Sequence, residues 1–265
     1  MKKFNQLVIF LFFFCTVGAM AQEKSDFFTY KFGADLMSKF VWRGAQIGGS
    51  YPSIQPWAEL GIGPVKFGVW GAYAIGGADP FQEFDLYLRM NFADDLFTVT
   101  LNDYYVLGST PYHYFQYKKD ATGHVLEGMF SFNGTEKIPL SLLVALNFYG
   151  ADAEKINDDP TSIEFNKKAG LQYSNYIELG YAFTMQEMKM NAFAGMTLNN
   201  PKKPNLMNGF KGETGFYGTG PGLVNLGVKA SKSLNITNLY ALPLCCAIIA
   251  NPQAHHVFIV FGVSL

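Results

Sequence analysis

Glu83-Phe84-Asp85-Leu86-Tyr87-Leu88-Arg89-Met90-Asn91-Phe92 alternates without a break: every even position is apolar, while the odd positions carry Glu, Asp, Tyr, Arg and Asn. Successive side chains of a β-strand point to opposite faces, whereas an amphipathic helix repeats its apolar residues every three to four positions. The stretch reads as a strand with one apolar and one charged face. The pattern returns at 175–185, where Ile177, Leu179, Tyr181, Phe183 and Met185 alternate with Tyr176, Glu178, Gly180, Ala182 and Thr184. At the C-terminus Val257, Ile259, Phe261, Val263 and Leu265 again share one face.

Working outward, the same alternation predicts twelve strands, at 28–43, 53–62, 64–75, 82–92, 96–107, 123–132, 138–149, 174–185, 188–198, 223–233, 239–249 and 256–265. Strands in soluble sheets average about five to six residues, and a tilted membrane strand needs about nine to eleven. Most of these segments match the second length. The links alternate as well: Gly61–Pro64, Ala93–Asp95, Asn133–Lys137, Gln186–Glu187 and Leu234–Asn238 are short, whereas Gly108–Thr122, Gly150–Tyr173 and Asn199–Gly222 are long. Bacterial outer-membrane barrels have short periplasmic turns and longer outer loops. The sequence therefore predicts an all-β, antiparallel transmembrane β-barrel of about 12 strands, with both termini in the periplasm. The link Ala250–His255 is short for an outer loop.

Of the 265 residues, 49% are apolar, 16% aromatic and only 15% charged, with 20 Lys+Arg against 21 Asp+Glu. This excludes a disordered chain and a nucleic-acid binder. Twenty-five Phe, 15 Tyr and 27 Gly suit pleated surfaces joined by tight turns. Beyond the N-terminus no apolar run reaches the roughly 18 residues of a membrane helix. Lys2 and Lys3 precede an apolar-to-small stretch, Leu7–Ala21, that ends Ala19-Met20-Ala21. That is the pattern of a cleaved secretory signal peptide, so residues 1–21 are read as signal and 22–265 as the barrel. Cys15 follows Phe14 and not the small residue that a lipidation site requires. A soluble β-sandwich would alternate too, with its polar face outward; export, strand length and a polar face bearing both signs of charge favour a barrel with a wet lumen.

Lys31-Phe32-Gly33-Ala34-Asp35-Leu36-Met37-Ser38-Lys39-Phe40-Val41-Trp42-Arg43-Gly44 resembles the N-terminal strand signature of the TorF-type porins, also called the Gcw_chp-like family. The matching residues are Asp35, Ser38, Val41, Arg43 and Gly44. Pro52-Ser53-Ile54-Gln55-Pro56 and Phe67-Gly68-Val69-Trp70-Gly71 are similar to the next elements, and Leu239–Leu265 resembles the closing hairpins of Bacteroidetes-type outer-membrane proteins. The resemblance implies an outer-membrane barrel of the porin kind. It implies no catalytic residues.

With the apolar sets toward lipid, the lumen receives Lys31, Asp35, Lys39, Arg43, Gln55, Trp57, Glu59, Lys66, Glu83, Asp85, Arg89, Asn102, Glu127, Glu178, Lys189 and Lys229. Charges in a narrow lumen set ion preference because the low-dielectric wall focuses their field. Asp35, Lys39, Arg43, Glu59, Glu83, Asp85, Arg89 and Glu178 are the selectivity candidates. Arg43 leads them, since a guanidinium can hold an anionic group bidentately; the structural alternative is a salt bridge to Glu59 on the next strand. Tyr30, Phe40, Trp42, Tyr73, Tyr105, Phe148 and Tyr149 are candidates for interfacial girdles.

His113, His124, His255 and His256 fall in no metal-ligand spacing, and G-x-S-x-G is missing. No cofactor, metal or catalytic residue is expected. Asp152, Glu154, Asp158 and Asp159 offer oxygens to a hard cation or form a solvated loop. Gly209–Gly222, with six glycines, reads as an outer loop folding into the mouth. The expected function is passive diffusion of small solutes through the outer membrane, with lipid and the barrel-assembly machinery as partners. The alternatives are a closed structural or surface-binding barrel and, less favoured, a lipid-modifying enzyme.

Overall fold

The computed structural model describes residues 27–77, 80–108, 113–238 and 240–265. The expected signal segment 1–21 lies outside the described residues. In chain order the strands are β1 (Phe28–Met37), β2 (Val41–Trp42), β3 (Ala45–Gln46), β4 (Ser53–Ile62), β5 (Val65–Ala74), β6 (Gln82–Phe92), β7 (Phe97–Tyr104) and β8 (Val125–Phe132). They continue with β9 (Leu140–Gly150), β10 (Glu154–Ile156), β11 (Lys168–Leu171), β12 (Asn175–Met185), β13 (Met188–Thr197), β14 (Gly222–Asn235), β15 (Ala241–Asn251) and β16 (His256–Ser264). Twelve of them, all but β2, β3, β10 and β11, form one closed antiparallel barrel in which each pairs with its sequence neighbours and β16 returns to β1.

Alternation decides which way each strand faces. On β6, Leu88 and Met90 lie on the outer surface at 46% and 45% exposure, while Glu83 and Asp85 are buried inside. On β12 and β16, Leu179, Val257, Ile259 and Phe261 are likewise more than half exposed. The result inverts a soluble barrel: the outside is apolar and the inside polar. A one-residue slip would exchange the two faces, so the register is strongly specified.

The short turns lie at one end of the barrel and the long loops at the other. Gln186 and Glu187 both have positive φ, 48° and 66°, as the two-residue type I′ hairpin demands. Closure is narrower than the other pairings. β1 matches β4 over its whole length, Phe28–Met37, but meets β16 only through Asp35–Met37 against Gly262–Ser264. Ala34 and Leu265 exchange backbone hydrogen bonds of 3.2 and 2.8 Å beside this seam.

The first strand is shorter than its alternation suggests. It stops at Met37, and the chain turns inward after Ser38, whose N–H and Oγ both bond Phe261 at 2.8 and 2.9 Å. Val41–Gln46 then forms a separate hairpin, β2–β3, inside the mouth. Its two turn residues, Arg43 and Gly44, have φ of 47° and 79°, again the type I′ signature. The alternation of 28–43 is thus two elements read as one.

Candidate functional site

The β2–β3 hairpin turns from β1 into the lumen, and the Arg43 side chain at its tip reaches β8 on the far wall. Its tip abuts β14 and β15: Asn251 Nδ2 donates to the Gly44 carbonyl at 3.1 Å, and a Cβ on Gly44 would fall 1.9 Å from the Val224 carbonyl oxygen. Only glycine fits both this approach and the positive φ. Arg43, beside it, accepts a left-handed backbone that costs a non-glycine residue of order 1 kcal/mol. The contacts of its side chain hold it there.

The Arg43 guanidinium meets Glu127 of β8 with both arms, Nη1 on Oε2 and Nη2 on Oε1, the latter at 3.0 Å. Tyr104 Oη and Asn102 Nδ2 donate to the same Oε1 at 2.8 and 3.1 Å. Tyr217 Oη, from the long 198–221 loop, donates to Oε2 at 3.3 Å and accepts from Arg43. Burial, outweighing the opposing effect of Arg43, raises the Tyr217 hydroxyl above its ordinary range, so it remains a protonated donor. The guanidinium lies 4.5 Å from the Trp42 ring centroid, 4.6 Å from Tyr176 and 5.5 Å from Tyr217. Glu127 is fully buried and Arg43 nearly so. A buried ion pair survives only when its remaining lone pairs and protons are satisfied, and here Tyr104, Asn102 and Tyr217 do so.

The hairpin borders two cavities. Below it a chamber of about 300 Å³ is lined by Lys39, Arg43, Gln55, Glu178, Lys229 and Cys245, among others. Above it Gly44, Ala45 and Gln46 form part of the floor of a vestibule of about 1380 Å³, with Lys202, Lys203 and Gln253 on its walls.

The expected salt bridge from Arg43 to Glu59 is not formed. The hairpin carries Arg43 off the line of β1 and across to Glu127, while Glu59 takes Arg89 at 3.4 Å and the Tyr87 hydroxyl at 3.0 Å. Asp35 accepts Ser264 Oγ at 2.6 Å at the closure seam. Glu178 accepts Tyr176 Oη and, at 2.9 Å, Asn225 Nδ2. Glu83 and Asp85 are both buried on β6, and neither forms an ion pair with Arg43. The eight candidates therefore occupy several separate networks, and only Lys39, Arg43 and Glu178 share a chamber.

Among the girdle candidates, Tyr30 and Phe148 are exposed on the outside, but Phe40 and Tyr105 are buried and Trp42 faces Arg43. The inward hairpin explains the first and last of these. The acidic loop scatters its carboxylates over different partners: Asp152 takes Asn147 Nδ2 and the Ser174 N–H, Glu154 pairs with Lys168, and Asp158 with Lys202. The glycine-rich loop does fold into the mouth, delivering Phe216 and Tyr217 to Trp42. Sequence reading assigned Tyr104, Tyr176 and Tyr217 no part in this plug; only the glycines around Tyr217 hinted that its segment could pack closely.

His124, which falls in no metal-ligand spacing, serves the loops. Fully buried, it places Nδ1 2.7 Å from Asp103 and Nε2 on the Tyr114 carbonyl, with Tyr117 stacked at 4.0 Å between ring centroids. Tyr117 Oη donates to the other Asp103 oxygen at 2.6 Å; burial and this bond raise that hydroxyl above its ordinary range. The long loops are thereby braced against the rim. No protein-family model matches this chain, and no curated protein matches it.

Proposed function

We propose that this chain is an outer-membrane β-barrel of the porin kind, passing small solutes through a lumen that the β2–β3 hairpin closes at rest. The observation that carries the reading is the inverted barrel, apolar outside and charged inside. Soluble monomers rarely expose contiguous apolar patches beyond a few hundred Å², whereas lipid requires such a band and a barrel without edges. Exposed Phe32, Leu36, Leu88, Leu179, Ile248 and Phe261 supply the band from strands all around the circumference. The signal segment, delivery to the barrel-assembly machinery and kinship with the TorF-type porins belong to this proposal. No reaction is assigned.

The chamber below the plug and the vestibule above it share the hairpin as their partition. Solute passage requires Arg43 to leave Glu127, by thermal opening or on binding at the mouth. Single-channel recording in planar bilayers tests this: wild type should conduct rarely, and Arg43→Ala should raise open probability or conductance. Absence of current from both folded proteins would overturn it. The second reading, a closed barrel that binds at its outer rim, is favoured by the bidentate, aromatic-sandwiched Arg43–Glu127 pair, which is built to stay shut.

A further inference from the structure

Beside the hairpin, a cavity of about 290 Å³ is bounded by Phe40, Trp42, Ile47, Tyr104 and Phe216, with Glu83 its carboxylate. The Glu83 side chain is 9% exposed, and its Oε2 is buried without a hydrogen-bond partner. Asp85, two residues along on the same face, is also buried and accepts the Tyr105 N–H at 3.2 Å. Among the described residues no Lys, Arg or His lies within 4.0 Å of either carboxylate. A buried acid pair with no counter-charge and an unmet acceptor is costly to keep ionised, and a proton or a bound cation relieves it. Buried Glu127 has Arg43, buried Asp152 has donors on both oxygens and Asp85 has the Tyr105 N–H, whereas Glu83 Oε2 has none.

The walls specify what fits. Aromatic faces attract cations through their quadrupole, and the Trp42 ring already carries the Arg43 guanidinium 4.5 Å from its centroid. The volume is at the low end of the roughly 300–1,000 Å³ of small-molecule sites, which excludes a peptide or glycan. Gly123 and Ala151, at the ends of two long loops, form part of the wall, so the cavity lies at the loop end of the barrel. A neutral hydroxyl would satisfy the Glu83 oxygen but bring no positive charge to the acid pair. We infer that this pocket binds a small organic ammonium ion, its nitrogen against Glu83 and its apolar or aromatic body among Phe40, Trp42 and Phe216. The inference needs the loop end of the barrel alone and stands or falls independently of solute passage.

Calorimetric titration of the purified, exported protein with phenethylammonium, and with 2-phenylethanol as its uncharged counterpart, tests it. The ammonium should bind saturably and about tenfold or more tighter than the alcohol. Glu83→Gln, which keeps the volume and removes the charge, should abolish that preference, and Phe216→Ala should weaken both probes. Folding of each variant is read from heat-modifiable migration on gels. Equal affinities for the two probes, undiminished ammonium binding by Glu83→Gln, or no saturable binding by wild type would each overturn the proposal. Where Glu83→Gln fails to fold, the two probes on wild type and the loop variant Phe216→Ala decide: wild-type affinity in that variant also overturns it.

Discussion

Two Arg–Glu pairs stand inside this barrel, and they differ in nearly everything but chemistry. Arg89 and Glu59 sit on β6 and β4, flanking β5, with their side chains 37% and 12% exposed and a contact of 3.4 Å. Arg43 and Glu127 join a hairpin tip to the far wall, with side chains 9% and 0% exposed, bidentate contact and three aromatic rings around the guanidinium. Water screens the first pair, and its arms are held apart by a sheet that would persist without it. The second has replaced water on every side. The comparison teaches that charge in a lumen is not by itself a selectivity filter: a partially solvated pair can act on a passing ion, whereas a dry one is structure.

The sharpest way to break the comparison is to remove one partner of each pair. Glu127→Ala leaves Arg43 buried without its carboxylate, and breaking a buried pair typically costs about 3–5 kcal/mol; denaturant unfolding should show a loss of this size, with the hairpin released first. Glu59→Ala should cost about 1 kcal/mol or less, because its partner is more than a third exposed and solvent already screens the contact. Equal losses at the two sites would erase the distinction. Gly44→Ala comes between them: its positive φ and the Val224 carbonyl predict about 1–3 kcal/mol against hairpin docking, measurable as faster proteolysis of residues 38–52.

Smaller still is the loop bridge, where Lys168 holds Asp120 at 2.8 Å and Glu154 at 3.1 Å. Hydrogen bonding to Lys168 lowers Asp120 below its ordinary 3.8, and hydrogen bonding to Asp120 raises Lys168 above its ordinary 10.5. The carboxylate's contribution is complete above pH 3.8 and fades as pH falls through the lower folded value; the ammonium's is complete below pH 10.5 and fades as pH rises through the higher one. The loops stay linked across neutral pH. Asp120→Asn should therefore increase tryptic cleavage after Lys118 or Lys119 at pH 7, by no more than about fivefold for so exposed a pair.

Most of the barrel was legible in the residues. Strands 53–62, 82–92, 188–198 and 256–265 lie within a residue of their observed ends, since each has an exposed apolar face and a polar interior face and so alternates strictly. The error at 28–43 has the same cause. The hairpin Val41–Gln46 also has two unlike faces, so its alternation ran on from β1, and Arg43-Gly44 gave only a weak turn signal because arginine is rarely chosen for a positive φ. The site suffered more. Pairing of Arg43 with Glu59 followed from strand adjacency, but a hairpin lifted into the lumen ignores adjacency and reaches whichever wall its length allows.

The sequence by itself determined the number of barrel strands, which residues share a face of each strand and the side on which long loops gather, because these are properties of periodicity and turn chemistry. Which face turns outward, which charges meet, and that Glu83 is left facing an aromatic cavity were decided only by tertiary structure. Those outcomes depend on distances across the barrel, between residues 84 to 174 positions apart such as Arg43, Glu127 and Tyr217, and no local pattern encodes a distance across an enclosed space.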